Sequence, residues 1–253
     1  MAAHPQGFDF EPGGVARLVL DRPDQRNAVT WQLLRDLLPV LELVDEDDDI
    51  RCLVVEGAGG TFCAGMDLGL VSIDAPADAA EVLNGTAWFL SRFEGLRKPV
   101  LSRIEGDCIG LGLEIALAGD VLVAAPSARF GFGEIAKGVL PAAAVARHRS
   151  WARRHDLARL ALSGELVGAE QAYATGLVDV VVDDTAAEAA RLANLLASAA
   201  PRSMELARTL LHRGAEDDYR RMAEVMPAVL LSEDAAEGAR ASFDRRPPQF
   251  WGR

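Results

Sequence analysis

Glu114 and Glu134 are the side chains whose setting points most directly to chemistry. Glu114 closes the stretch Gly110-Leu111-Gly112-Leu113-Glu114, just before the apolar run Ile115 to Ala118, and Glu134 lies in Phe130-Gly131-Phe132-Gly133-Glu134-Ile135. Each follows a glycine-containing turn that can present backbone N–H groups to an oxygen. Two carboxyls that converge on one pocket can divide acid and base duties, because unequal surroundings push their pKa values apart. An oxyanion site beside them suggests chemistry next to a carbonyl.

The elements that must position these residues alternate. Val15 to Leu20 is a short apolar run ended by the turn-rich Asp21-Arg22-Pro23-Asp24-Gln25-Arg26-Asn27. Thr30 caps a helix with the apolar face Trp31, Leu34, Leu37, Leu38 and Leu41, which ends in Asp45-Glu46-Asp47-Asp48-Asp49. Strands follow at Arg51 to Glu56, Pro99 to Glu105 and Asp120 to Ala125, separated by a helix around Ala79 to Phe93 and a short helix after Gly110. Strands separated by helices predict α/β architecture with parallel pairing. From Arg149 the pattern is mostly helical, with one strand-like run at Leu177 to Val182 and helices expected at Ala186 to Ala199, Arg202 to Arg213 and Asp217 to Leu231. The alanine-rich helix, with Ala189, Leu192, Leu195 and Leu196, has a narrow apolar face suited to docking.

With 253 residues, 50% of them hydrophobic and 25% charged, the chain can bury a full core. No apolar stretch reaches the roughly 18 to 20 residues of a membrane-spanning helix, and Met1 to Gly14 lacks a basic segment followed by an apolar run. A soluble, cytoplasmic protein is expected. Cys52, Cys63 and Cys108 sit in apolar segments without CxxC spacing, which fits buried thiols in a reducing compartment. His4, His148, His155 and His212 have no paired spacing that suggests a metal site. A formal net charge of -12 repels nucleic acid at long range; Arg147, Arg149, Arg153 and Arg154 are the one basic cluster.

Gly57-Ala58-Gly59-Gly60-Thr61-Phe62-Cys63-Ala64-Gly65-Met66-Asp67-Leu68 follows one buried strand and Gly106 to Asp120 follows another. Asp21-Arg22-Pro23 and Asn27-Ala28 lie upstream; Glu134, Ser163-Gly164, Ala169-Glu170-Gln171-Ala172, Gly176-Leu177-Val178 and the ending Phe243, Arg246, Pro248, Phe250 lie downstream. No single motif is specific, but in this fixed order they resemble the enoyl-CoA hydratase/isomerase (crotonase) family over nearly the whole chain.

The resemblance implies an α/β spiral of repeated strand-strand-helix units, residues 1–195, carrying an acyl-CoA site, and a C-terminal helical extension, residues 196–253, used in packing and oligomerisation. It implies reversible addition of water to a trans-2-enoyl-CoA, a homotrimer or homohexamer, and no cofactor beyond the CoA thioester that is the substrate. Glu114 then holds and deprotonates the attacking water and Glu134 delivers a proton to the α carbon. The oxyanion donors map onto the backbone N–H groups of Ala64 and Leu111. Substrate contacts map onto Arg26, Ala28, Ala64, Gly65, Met66, Asp67, Leu68 and Gly110, with Asp67 also able to cap the following segment. No metal, nucleic acid or membrane partner is implied.

Two departures bear on the substrate. Where the family commonly has three glycines, this chain has Gly110-Leu111-Gly112, and a loop often rich in glycine is Ala142-Ala143-Ala144-Val145-Ala146, which favours an earlier helix start. Gly69 to Phe93, with Leu70, Val71, Trp88 and Phe89, is where relatives build the acyl pocket; its apolar residues serve equally well as core. A double-bond isomerase, or a decarboxylase or dehydratase acting on a carrier-bound acyl group, uses the same pocket. A non-catalytic binding protein, including an RNA binder, is the reading from a different class.

Overall fold

The structure, a computed structural model, describes residues 8–11, 14–67, 76–151, 154–212, 231, 233–246 and 248. The chain runs through β1 (Phe8–Glu11), β2 (Val15–Leu20), α1 (Trp31–Glu46), β3 (Cys52–Gly57), α2 (Pro76–Glu94), β4 (Val100–Ile104), β5 (Asp107–Ile109) and α3 (Leu111–Leu117). It continues with β6 (Val121–Ala124), β7 (Arg129–Gly131), α4 (Ala142–Trp151), α5 (Arg154–Ser163), β8 (Leu166–Gly168), α6 (Ala169–Ala174) and β9 (Val180–Val181). Helices α7 (Thr185–Ala197), α8 (Pro201–Leu211) and α9 (Glu233–Asp244) complete it.

The larger sheet has the order β1-β2-β3-β4-β6-β9, with β1 antiparallel at one edge and the remaining neighbours parallel. The smaller has the order β5-β7-β8, parallel then antiparallel. Consecutive turns of chain therefore contribute one strand to each sheet: β4 then β5 before α3, and β6 then β7 before α4. The same step after β3 brings Cys63 into a parallel bridge with Cys108 of β5. This is the expected strand-strand-helix repeat.

Period-two alternation sorts the buried strands. In β3, Leu53 and Val55 join the main core with Phe62, Phe89, Phe93, Phe130 and Phe132. Cys52 and Val54 face the other way, against Ala189, Ala193 and Ala197 of α7. Alanines at i, i+4 and i+8 let α7 lie close to the sheet, with Leu192 and Leu196 at its flanks and Leu195 exposed rather than docked. The expected division between residues 195 and 196 falls inside α7; the break after it is Ser198–Ala200.

Thr30 caps α1 as expected, its Oγ1 accepting from Leu33 N at 3.0 Å, and the buried face is Leu34, Leu37, Val40, Leu41 and Val44. The three-residue strands β5, β7 and β8 lie where no strand was expected, since so short a run carries no period. The strand expected over 177–182 shrinks to Val180–Val181. The helix expected over 217–231, apart from its last residue, lies outside the described residues, as do Leu70, Val71, Arg153 and Phe250.

Candidate active site

Loops at the carboxyl ends of β2, β3, β5 and β7 build the site. After β2 the chain makes a 3-10 turn, Pro23–Gln25, and passes through Arg26 and Asn27 at φ 51° and 55°. Asn27 is wholly buried and fastens two loops together. Its Nδ2 donates to the carbonyls of Ala58 (2.9 Å) and Thr61 (2.6 Å), and its Oδ1 accepts from Arg22 N (2.8 Å). Asparagine tolerates the left-handed backbone better than most residues, so geometry and hydrogen bonding select it together.

Residues 63–67 then run between the Arg26–Val29 segment and β5. Cys63 faces β5, donating its N–H to Asp107 O and accepting from Ile109 N, both at 2.9 Å. Ala64 faces the other side and donates to Arg26 O at 3.0 Å. Gly65, at φ 98°, then turns the chain: its carbonyl accepts from Val29 N and Asp67 N donates to Val29 O, both at 2.8 Å. In such a parallel bridge the intervening residue's own N–H points away from the partner strand. The Met66 N–H is therefore directed away from Val29 and has no hydrogen-bond partner among the described residues. A Cβ on Gly65 would lie 3.0 Å from Ile109 O and 3.6 Å from the Leu111 nitrogen, so this chain runs against the start of α3.

Gly110 enters α3 at φ 57° and ψ -128°, a conformation essentially confined to glycine. Its N–H donates to Gly131 O at 2.9 Å, tying the turn to the end of β7. Leu111 N–H, the first of the helix, has no partner among the described residues, as an initial helical N–H lacks one within the helix. Every residue of α3 is buried. A side chain at Gly112 would collide with Cys63, at 2.6 Å from both its Cβ and its carbonyl oxygen.

The β5–β7 pairing brings Glu134 against Gly110 and close enough to Glu114 for its charge to act there. Glu114, one turn into α3 and 6% exposed, accepts at Oε1 from Ala144 N (2.9 Å) in the first turn of α4. Glu134 lies three residues past β7, its Oε1 2.4 Å from where a Gly110 Cβ would be. Its Oε2 is buried with no hydrogen-bond partner. Burial, and then the charge of Glu134, push Glu114 up to about 8 against the N–H groups of Ala144 and Ala143. Burial pushes Glu134 up to about 7, opposed by its own backbone N–H and by Lys137. The two titrate as a coupled pair. Near neutral pH that pair can hold a proton on one member and a negative charge on the other, which suits paired acid and base work beside a free N–H.

A family model described as enoyl-CoA hydratase/isomerase matches residues 11–253. The chain belongs to the enoyl-CoA hydratase/isomerase family. It is 34% identical over 247 residues to a 2,3-dehydroadipyl-CoA hydratase of Escherichia coli (strain K12), covering 94% of this chain and 96% of the relative. It is 33% identical over 261 residues to a 1,2-epoxyphenylacetyl-CoA isomerase of the same organism, covering 95% and 96%. A crystal structure of an enoyl-CoA hydratase from Mycobacterium avium superposes with a TM-score of 0.85 at 28% identity, covering 96% of this chain and 98% of that one. The crotonase-like α/β fold is shared.

One N–H expected to be available is already engaged. Ala64 was expected as an oxyanion donor, but its N–H is already given to Arg26 O; the unpartnered N–H in that loop belongs to Met66. The exchange follows from the turn at Gly65, and only the repeat of glycines hinted at it. Gly65, Met66, Asp67, Gly110 and Leu111 come together as described, and Ala28 is half-buried beside them. Asp67 lies 3.9 Å from Arg22; the segment it was expected to cap, and Leu68, lie outside the described residues. Arg26 extends into solvent, 62% exposed, with Asp107 at 4.0 Å. Trp88 is 50% exposed on α2 while Phe89 belongs to the core. His212 stands apart, its Nε2 2.8 Å from Asp120. The Asn27-Ala28 motif names Asn27 without a role, because its clamp joins residues 31 and 34 positions away.

Proposed function

We propose that this enzyme is an enoyl-CoA hydratase, adding water reversibly to a trans-2-enoyl-CoA to give a 3-hydroxyacyl-CoA. The observation that carries the proposal is the pair of buried, interacting carboxyls, Glu134 against Gly110 and Glu114 one turn further into α3, with the unpartnered Leu111 N–H between them in the chain. The thioester oxygen lies between the N–H groups of Met66 and Leu111. Glu114 as carboxylate takes a proton from water as the water oxygen bonds to the β carbon. The π electrons move to the α carbon and carbonyl, and the developing oxyanion is held by the two N–H groups. Burial leaves the higher pKa on Glu114, about 8 against about 7, so the acting form is the one with the pair's proton moved to Glu134; that residue gives it to the α carbon, completing the addition of one water. Each preorganised donor is worth about 3 to 4 kcal/mol in the transition state.

The hydratase and isomerase names of the two Escherichia coli relatives support acyl-CoA as the substrate class. Arg26 reaches CoA phosphates from the rim, and Ala28 with the 64–68 backbone holds the adenine and pantetheine arm. The reaction needs no cofactor besides the thioester itself. The chain up to the Ser198–Ala200 break acts as the site-bearing core, and the remainder as the packing and oligomer-forming extension of a homotrimer or homohexamer in the cytoplasm. No helix among the described residues is long and apolar enough to cross a membrane.

A second reading, a double-bond isomerase, is favoured by the freedom of Glu134: a carboxyl without a hydrogen bond at Oε2 can carry one proton between two carbons. Product mass separates the two. A panel of enoyl-CoA thioesters varied in length and branching, incubated in deuterium oxide, is expected to give products heavier by one water with deuterium at the α carbon. Deuterium exchange without gain of water would support the isomerase and overturn the hydratase.

A further inference from the structure

Glu134 is held in an unusual way. Apart from its own backbone N–H, its carboxyl has no hydrogen-bond donor among the described residues, so its position follows where the next 3-10 turn, Ile135–Lys137, is held. That turn is closed by Lys137 N and Val139 N, both donating to Glu134 O at 2.8 and 3.0 Å, and by Gly138 at φ 71°. On one side it meets the end of α5, where a Cβ on Gly164 would lie 3.1 Å from Ile135 Cγ2. On another it meets α9, from the far C-terminal region. There Gly238 faces the turn, and an added Cβ would be 1.7 Å from Lys137 O, 2.2 Å from Lys137 C and 2.9 Å from Lys137 Cα. All three atoms are backbone, so no side-chain rotation can relieve the contact. Ala235 and Ala241, buried to 6% and 1% exposure, lie on the same stretch of α9. The end of the helix is braced by Arg246 against buried Glu237, at 2.6 and 3.0 Å.

We propose that Gly238 is a positioning residue for the reaction: by letting α9 press its backbone onto Lys137, it sets the Ile135–Lys137 turn and so aims the Glu134 carboxyl past Gly110. The C-terminal helix thereby takes part in proton delivery without touching substrate. The inference rests on Glu134 being the acid of the hydratase reading. A displacement of the turn by about 1 Å costs on the order of 10²-fold in rate, and it acts on chemistry, leaving thioester binding to the loops before α3.

The test is a double-mutant cycle read by steady-state hydration, with enzyme concentrations high enough to follow residual rates. Gly238→Ala is expected to lower kcat by about 10²-fold with KM and calorimetric CoA-thioester binding unchanged. In a Glu134→Gln background the same substitution is expected to have almost no further effect, since residues acting as one unit are non-additive. If Gly238→Ala fails to fold, Glu237→Gln, which loosens the brace without a clash, reads the same coupling with a smaller fall in kcat. Equal falls in both backgrounds, a rise in KM alone, or an unchanged kcat would overturn the positioning role. Full turnover by Glu134→Gln would instead overturn the acid assignment beneath it.

Discussion

Gly110→Ala tests the geometry at its tightest point. The native φ of 57° and ψ of -128° lie where an L side chain is strained, a cost of about 1 to 3 kcal/mol. The new Cβ would also lie 2.4 Å from Glu134 Oε1 and 3.0 Å from its Cδ. Ordinary contact requires about 3.5 Å between such atoms, so the carboxyl must retreat by about 1 Å, enough to lose on the order of 10²-fold in turnover. The loop as a whole need not move, because Gly110 N–H to Gly131 O is a backbone bond that alanine retains. The expected result is a kcat for enoyl-CoA hydration lower by about 10²-fold and a urea midpoint lowered to match the strain, with m unchanged. Wild-type kcat together with wild-type stability would show that Glu134 does not sit against Gly110, and the arrangement of the site would be wrong.

Asn27→Ala removes a side chain bonded to Ala58 O, Thr61 O and Arg22 N at once; on the order of 3 kcal/mol of stability should be lost in urea unfolding, with KM for the thioester raised as the donor loop loosens. Leu111→Pro deletes the donor N–H and should lower kcat by roughly 10²- to 10³-fold, whereas Leu111→Ala keeps it and should lose far less. Stability should fall with rising pH: Glu114 and Glu134 have folded pKa values raised above the unfolded ones, so the native state binds more protons from about 4.5 up to about 8. Chemical denaturation across that window should show the decline, and a Glu114→Gln/Glu134→Gln double variant should flatten it and be the more stable protein at pH 9, by on the order of a few kcal/mol.

Sequence order carried the fold class and the approach of Glu134 to Glu114, because the glycine turns, the flanking apolar strands and the acidic positions are local features. The Thr30 cap and the α1 face were legible for the same reason: hydroxyl, spacing and period lie within a few residues. What could not be read depends on torsion angles and distant contacts. Knowing that the free N–H of that loop is Met66's and not Ala64's requires knowing that Gly65 turns the chain at φ 98°. Asn27 joins residues 31 and 34 positions away, and Gly238 meets Lys137, which lies in a turn far earlier in the chain. In α7, leucine and alanine compete for the sheet, and close approach selects Ala189, Ala193 and Ala197 while turning Leu195 to solvent.

Turnover of Glu114→Gln and Glu134→Gln on an enoyl-CoA, followed by loss of the conjugated thioester absorbance, tests the account at its centre. Each glutamine keeps the shape and removes the titrating group, and each should lower hydration by about 10²- to 10⁴-fold while thioester binding persists. Undiminished hydration by either variant would contradict the division of acid and base between the two carboxyls.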